Sequence, residues 1–122
     1  MEPTSRAVAD VRIERVLQVL EEQSDRRWSV AEMARVVNLS ATRFSHLFRA
    51  CVGLAPLKYL RLIRMQKAGE LLLTTGSSIK EVAFCVGISD VSHFVRHFKK
   101  VHGVCPSDFR ESMWSQNSRI GQ

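Results

Sequence analysis

Residues 29–59 and 78–109 carry one pattern twice. Ser29, Glu32, Ala34, Val37, Leu39 and Ser40 recur 49 positions later as Ser78, Glu81, Ala83, Val86, Ile88 and Ser89. Phe44, Phe48, Arg49, Gly53, Pro56 and Tyr59 recur 50 positions later as Phe94, Phe98, Lys99, Gly103, Pro106 and Phe109. The shared positions are helix caps, turn residues and core positions, which chance does not duplicate together. The chain is therefore expected to fold as two copies of one supersecondary unit, too few for a solenoid. The change of offset means that the second copy has gained a residue, which the spacing places at the start of its second helix.

Each copy reads as two short helices around a tight turn. Ser78 with Glu81 is a capping box: the hydroxyl accepts from a first-turn amide and the carboxylate reaches back to the Ser78 N–H. Ile79, Val82, Ala83 and Val86 follow at helical spacing, and Gly87 stands where the chain needs a left-handed residue. Ser89 or Asp90 can cap the next helix, in which Phe94, Phe98 and Val101 share a side and which Gly103 ends. In the first copy Trp28 precedes the box of Ser29 and Glu32 as a hydrophobic staple, with Met33, Ala34 and Val37 inward. Asn38 can take the left-handed turn, and Ser40 can cap a helix that carries Phe44, Leu47, Phe48 and Cys51 inward.

The rest of the chain frames these copies. Residues 1–9 are a loose polar arm, and residues 12–23 form an amphipathic helix with Ile13, Val16, Leu17 and Leu20 on one face. Pro56 suits a first helical turn, and residues 57–73 read as one connecting helix, roughly 24 Å long at the usual rise. Gly69 inside it reflects either close helix packing or local flexibility. A short closing helix spans residues 107–114, and residues 115–122 read as a frayed tail. The expectation is an all-α chain of about seven helices: an arm (1–9), a first helix-turn-helix lobe (10–56), a linker helix (57–73), a second lobe (74–114) and a tail (115–122).

Charge narrows the function. The net charge is +6, and residues 33–69 hold seven basic residues (Arg35, Arg43, Arg49, Lys58, Arg61, Arg64, Lys67) and no Asp or Glu. Such a field favours an acidic partner, nucleic acid or an anionic surface. Cys51, Cys85 and Cys105 are odd in number and widely spaced, matching neither a disulfide framework nor a zinc pattern, and they suit a reducing cytoplasm. No secretory leader and no stretch approaching the roughly 20 apolar residues of a membrane span is present. A cytoplasmic protein with no membrane partner is expected.

The core does not require Thr42, Arg43, Ser45, His46 and Arg49 on the first copy's second helix, nor Ser92, His93, Arg96, Lys99 and Lys100 on that of the second. A basic outer face in this position is what a DNA recognition helix needs. Merely solvated hairpins are the bland alternative, which the duplication disfavours. His93 and His97, four apart with His102 and Cys105 nearby, permit a metal reading. No acid stands between them and no partnered nucleophile or phosphate-cradling loop appears, so neither enzyme, metal nor cofactor is expected. The stronger rival is a protein-interaction module of the same fold that contacts RNA polymerase or another regulator without specific DNA reading.

The segment from Arg61 to Arg110 resembles the DNA-binding domain of AraC/XylS-type bacterial transcription regulators. The matching positions are Arg64, Ala68, Leu71 and Leu72, then Ile79 and Ala83 before Gly87, then Ser92, Phe94, Phe98, Lys99, Gly103, Pro106 and Arg110, and the likeness extends over about residues 13–110. With no effector-binding or dimerisation domain in the sequence, the chain looks like the small single-domain members. The resemblance implies seven helices in two lobes, with one recognition helix from each lobe in successive major grooves. It further implies a monomer on an asymmetric double-stranded DNA site, and regulation of transcription by contact with RNA polymerase, associated with the nucleoid.

Carried over by position, the base-reading residues are Thr42, Arg43, Ser45 and His46 in the first copy and Val91, Ser92, His93, Val95 and Arg96 in the second. Arg reads guanine bidentately, Ser and Thr are permissive, and Val meets a thymine methyl. Ser29, Arg49, Arg61, Ser78, Lys99 and Lys100 would hold phosphates, which position the protein without reading sequence. Asn38 departs from the usual turn glycine, Ala55 and Cys105 from a capping serine, and Ile88 from a frequent Phe. His46 stands where a basic residue is common, and Asp90 would repel phosphate or accept from a cytosine amine.

Overall fold

The computed structural model describes residues 10–120, with side chains described through Trp114. Among these residues seven helices follow one another: α1 Val11–Glu22, α2 Val30–Val36, α3 Ala41–Val52, α4 Pro56–Thr74, α5 Ile79–Cys85, α6 Val91–His102 and α7 Pro106–Ile120. No strand occurs among the described residues, so the all-α expectation holds. The arm expected at residues 1–9 lies outside the described residues. The chain divides into two compact units between Arg61 and Leu62, inside α4.

The first helix begins at Val11, one residue before its expected start, and Asp10 caps it. Asp10 accepts from the Arg12 backbone N–H at 2.9 Å and also holds the Arg12 guanidinium at 3.0 and 3.2 Å. That side-chain hydrogen bond holds the Asp10 carboxyl below its ordinary pKa. Ile13, Val16 and Leu20 of α1 are buried together with Met33, Ala34, Phe44, Phe48 and Leu60, and α3 packs against both α1 and α2. Phe48 meets Phe44 and Tyr59 with ring centroids 5.6 Å from each, in tilted and edge-on contacts that aromatic quadrupoles favour. Burial, with the Glu21 carboxylate adding to it, raises the Tyr59 hydroxyl above its ordinary pKa. Trp28 donates from Nε1 to the Gln23 carbonyl at 2.9 Å and carries the Arg26 guanidinium 3.7 Å above its ring, which closes the end of α1.

Both capping boxes form. Ser29 N–H donates to Glu32 Oε1 at 2.9 Å and Glu32 N–H to Ser29 Oγ at 3.1 Å; for Ser78 and Glu81 the distances are 2.7 and 3.1 Å. Each short helix then stops in the same way. Leu39 N–H reaches Ala34 O and Asn38 N–H reaches Arg35 O, while Ile88 N–H reaches Ala83 O and Gly87 N–H reaches Phe84 O. This is the paired 6→1 and 5→2 stop, and it needs a left-handed residue. Asn38 supplies it at φ 60° and Gly87 at φ 95°.

The residue gained by the second copy lies in this turn, a correction to its expected place at the start of the second helix. Ser40 caps α3 by accepting from Arg43 N–H, and Asp90 caps α6 by accepting from His93 N–H, both at 3.2 Å. Both helices have 12 residues. Asp90 is therefore the counterpart of Ser40, and Ser89 is the extra turn residue.

In the second unit Met65, Ala68, Leu72, Val82, Ala83, Val86, Phe94 and Phe98 form one buried cluster, with Leu71, Ile79, Ile88, Val95 and Phe109 packed on its margin. Val101, expected inward, is 37% exposed. His102 takes that place, because the last turn of α6 presents the residue four after Phe98 to the core. Its ring stacks on Phe98 at 4.1 Å and bonds through Nε2 to the Met65 carbonyl at 2.9 Å; a carbonyl only accepts, so Nε2 carries the proton. A Cβ on Gly69 would stand 3.3 Å from His102 Cε1 and 3.6 Å from Phe109 Cε2. Close packing, and not flexibility, is thus the reason for glycine in mid-helix.

Arg110 and Trp114 bind the open end of α4. Arg110 donates from Nε to Leu72 O at 2.9 Å and from a terminal nitrogen to Thr75 O at 3.1 Å, and Trp114 Nε1 donates to Leu73 O at 3.1 Å. The Leu72 and Leu73 carbonyls are among those a helix leaves without intrahelical partners, and Thr75 follows the last helical residue. Arg110→Ala is expected to cost the second unit about 2 kcal/mol, the scale of hydrogen bonds from a charged donor, read as a lower urea midpoint at unchanged slope. α7 itself runs to Ile120, past the end expected at Trp114. The sequence offers no glycine or proline between Pro106 and Gly121 to stop it.

Candidate nucleic-acid interface

The buried phenylalanines fix which side of α3 and α6 faces solvent. Phe44 and Phe48 are 0% exposed, as are Phe94 and Phe98, so the opposite side of each helix is turned out. On α3, Thr42, Arg43, His46 and Arg49 are exposed and Ser45 is half-buried. On α6, Ser92, His93, Arg96, Lys99 and Lys100 are exposed. Val91 is half-buried, and Val95 is half-buried against the core, so packing accounts for part of its side chain.

Among the described residues, the ion pairs given are those of Arg12 with Asp10 and Arg26 with Glu32, and none involves Arg43, Arg49, Arg96, Lys99 or Lys100. In each unit these cations are displayed without a carboxylate partner among the described residues, and an anionic ligand would gain from either face. Arg61 is half-buried on α4.

Ser29 and Ser78 stand differently. Each hydroxyl oxygen accepts from its own helix and each backbone N–H is taken by the capping glutamate. Only the hydroxyl proton is left to offer a phosphate, which makes these two the weakest of the expected phosphate contacts.

Grooves join some of these residues to others that the sequence reading missed. In the first unit Ser45, His46 and Arg49 line a shallow groove of about 240 Å³ together with Val30, Ala55, Pro56 and Leu57. The opening turn of α4 thus lies beside the α3 face, a proximity that periodicity within either helix does not signal. In the second unit Arg96, Lys99 and Lys100 share a groove of about 360 Å³ with His97. The four-residue spacing of His93 and His97 was the sequence signal for His97. Their Nε2 atoms lie 2.7 Å apart. Among the described residues no group of three or more His, Cys, Asp or Glu converges as a structural or catalytic metal would require.

Two copies of a capped helix pair, each presenting the outer face of its second helix, define a helix-turn-helix protein. The family described as Helix-turn-helix domain matches residues 33–112, and the chain belongs to it, among the AraC-type regulators. The regulator MtrA of Neisseria gonorrhoeae is 31% identical over 102 residues, 84% of this chain and 34% of that protein. The arabinose operon regulatory protein of Escherichia coli is 40% identical over 87 residues, 71% of this chain and 30% of that protein. The crystal structure of the DNA-binding domain of AdpA, a global transcriptional factor in complex with a target DNA, superposes with a TM-score of 0.84 at 26% identity, covering 88% of this chain and 96% of that one. The chain spans about a third of the length of the first curated relatives it matches. No helix among the described residues is long and apolar enough to cross a membrane.

Proposed function

We propose that this chain reads double-stranded DNA and regulates transcription, with α3 and α6 as recognition helices in successive major grooves. Residues 10–56 and 74–114 act as the two reading lobes and residues 57–73 as the linker. The observation that carries this reading is the row of unpaired cations and small polar residues on the outer faces of α3 and α6. Arg43 with Thr42, Ser45 and His46, and Arg96 with Val91, Ser92, His93 and Val95, contact base edges. Arg49, Arg61, Lys99 and Lys100 hold phosphates, with Ser29 and Ser78 adding hydroxyl contacts. The likeness to a domain crystallised on its target DNA supports the same use of the fold. The protein binds as a monomer, acts in the cytoplasm at the nucleoid, and performs no catalysis.

We also propose the contact with RNA polymerase that the resemblance to AraC/XylS-type regulators implies. The rival reading makes this contact the whole function. Competition at near-physiological salt separates the two. A labelled selected duplex should survive excess random DNA if bases are read, whereas equal competition by random DNA leaves only charge-driven association.

A further inference from the structure

Ring nitrogens of two histidines converge on one point of the α6 surface. His93 and His97 lie one helical turn apart, their Nε2 atoms 2.7 Å apart and their ring centroids 4.2 Å apart at 69°. Phe94 and Phe98, the next residue after each, are fully buried and hold the backbone under both rings. The geometry points to a bidentate site for a borderline divalent transition-metal cation, Ni²⁺, Cu²⁺ or Zn²⁺, chelated by Nε2 of His93 and His97.

Neutral imidazole suits these ions and not Mg²⁺ or Ca²⁺, which demand oxygen ligands. Two nitrogens each ~2.0–2.1 Å from one ion stand about 3.3 Å apart in a tetrahedron, so the rings need to part by roughly 0.6 Å. Without metal, one ring donates its Nε2 proton to the other. On binding, that proton moves to Nδ1 of the same ring, so that both Nε2 atoms present a lone pair to the ion. His93 is exposed and, among the described residues, no third His, Cys, Asp or Glu joins the pair, so water completes the coordination. Arg96, Lys99 and Lys100 on the same helix oppose any cation electrostatically. Binding therefore depends on the metal–imidazole bond itself, which excludes hard ions. The missing third ligand argues against a structural or catalytic metal, but a surface chelate needs only the pair.

His93 is also in the proposed base-reading set, so a bound cation would remove one reader; this consequence rests on the DNA-binding reading. Calorimetric titration of the whole chain with NiCl₂ near neutral pH tests the site without DNA. The expected result is one ion per chain, binding at least about tenfold weaker in His97→Gln, and unchanged binding in Cys85→Ser, which removes the exposed thiol of α5. Equal binding by wild type and His97→Gln, or loss in Cys85→Ser, overturns the site. If circular dichroism finds His97→Gln unfolded, His93→Gln serves the same test. Duplex affinity with and without NiCl₂, compared as a ratio within each variant, should fall in the wild type and stay constant in His97→Gln; a constant wild-type ratio overturns the link to DNA. A chain that binds no duplex removes the DNA reading and leaves the calorimetric result standing.

Discussion

Phe98→Ala is expected to cost the second unit about 3–5 kcal/mol, the range for removing a fully buried phenylalanine. The ring is 0% exposed and is shared by three neighbours: Phe94 at 5.9 Å, Phe109 at 5.2 Å and His102 at 4.1 Å. Removing it opens a cavity and frees His102 from the stack that aims its Nε2 at Met65 O. Urea unfolding read by circular dichroism should move to a much lower midpoint, and duplex affinity should fall with it, since α6 loses the contact that turns its outer face to solvent. A cost below about 1 kcal/mol would contradict the core described for this unit.

Arg96→Ala is the largest effect expected on recognition itself. Loss of a bidentate arginine–guanine contact costs about 1–3 kcal/mol and relaxes selectivity at one base position. Lys99→Ala, on the same exposed face, should weaken every duplex alike and flatten the salt dependence by about one counterion. Arg96 has no ion-pair partner among the described residues, so its removal should leave the urea midpoint nearly unchanged. Specificity profiles that match between the two variants would contradict the division of labour between base reading and phosphate holding.

Local chemistry explains why so much of the fold was legible in the residues. Capping boxes, left-handed turns and paired phenylalanines are decided within a few residues of each other, and their repetition made every one of them readable twice. Ser29, Ser78, Asn38, Gly87 and Gly53 behave as their positions demand. Partners distant in sequence were less legible. His102 binds a carbonyl 37 residues away, and Arg110 binds carbonyls 38 and 35 residues away. No periodicity encodes those distances, so Val101 was set in the core where His102 belongs, and Gly69 stayed ambiguous until His102 and Phe109 were found against it. The turn insertion was misplaced by one residue because Ser89 and Asp90 are both competent caps, and only the hydrogen bond to His93 N–H decides between them.

The outer faces of α3 and α6 were legible by subtraction: once the phenylalanines are assigned to the core, Arg43 and Arg96 are left to solvent. Ser29 and Ser78 were legible as caps, and the use of their Oγ and N–H within their own helices leaves only a hydroxyl proton to offer a phosphate; the start of α4 joins the α3 groove through tertiary packing, which periodicity within one helix does not signal.

Selection of bound sites from a pool of random duplexes at near-physiological salt tests the central claim most directly. The account predicts enrichment of one asymmetric motif with two separated segments, centred about one helical turn, ~10 base pairs, apart. Arg43→Ala should relax positions in one segment and Arg96→Ala positions in the other. A pool that stays random after repeated rounds, with binding that vanishes as salt rises, would contradict it.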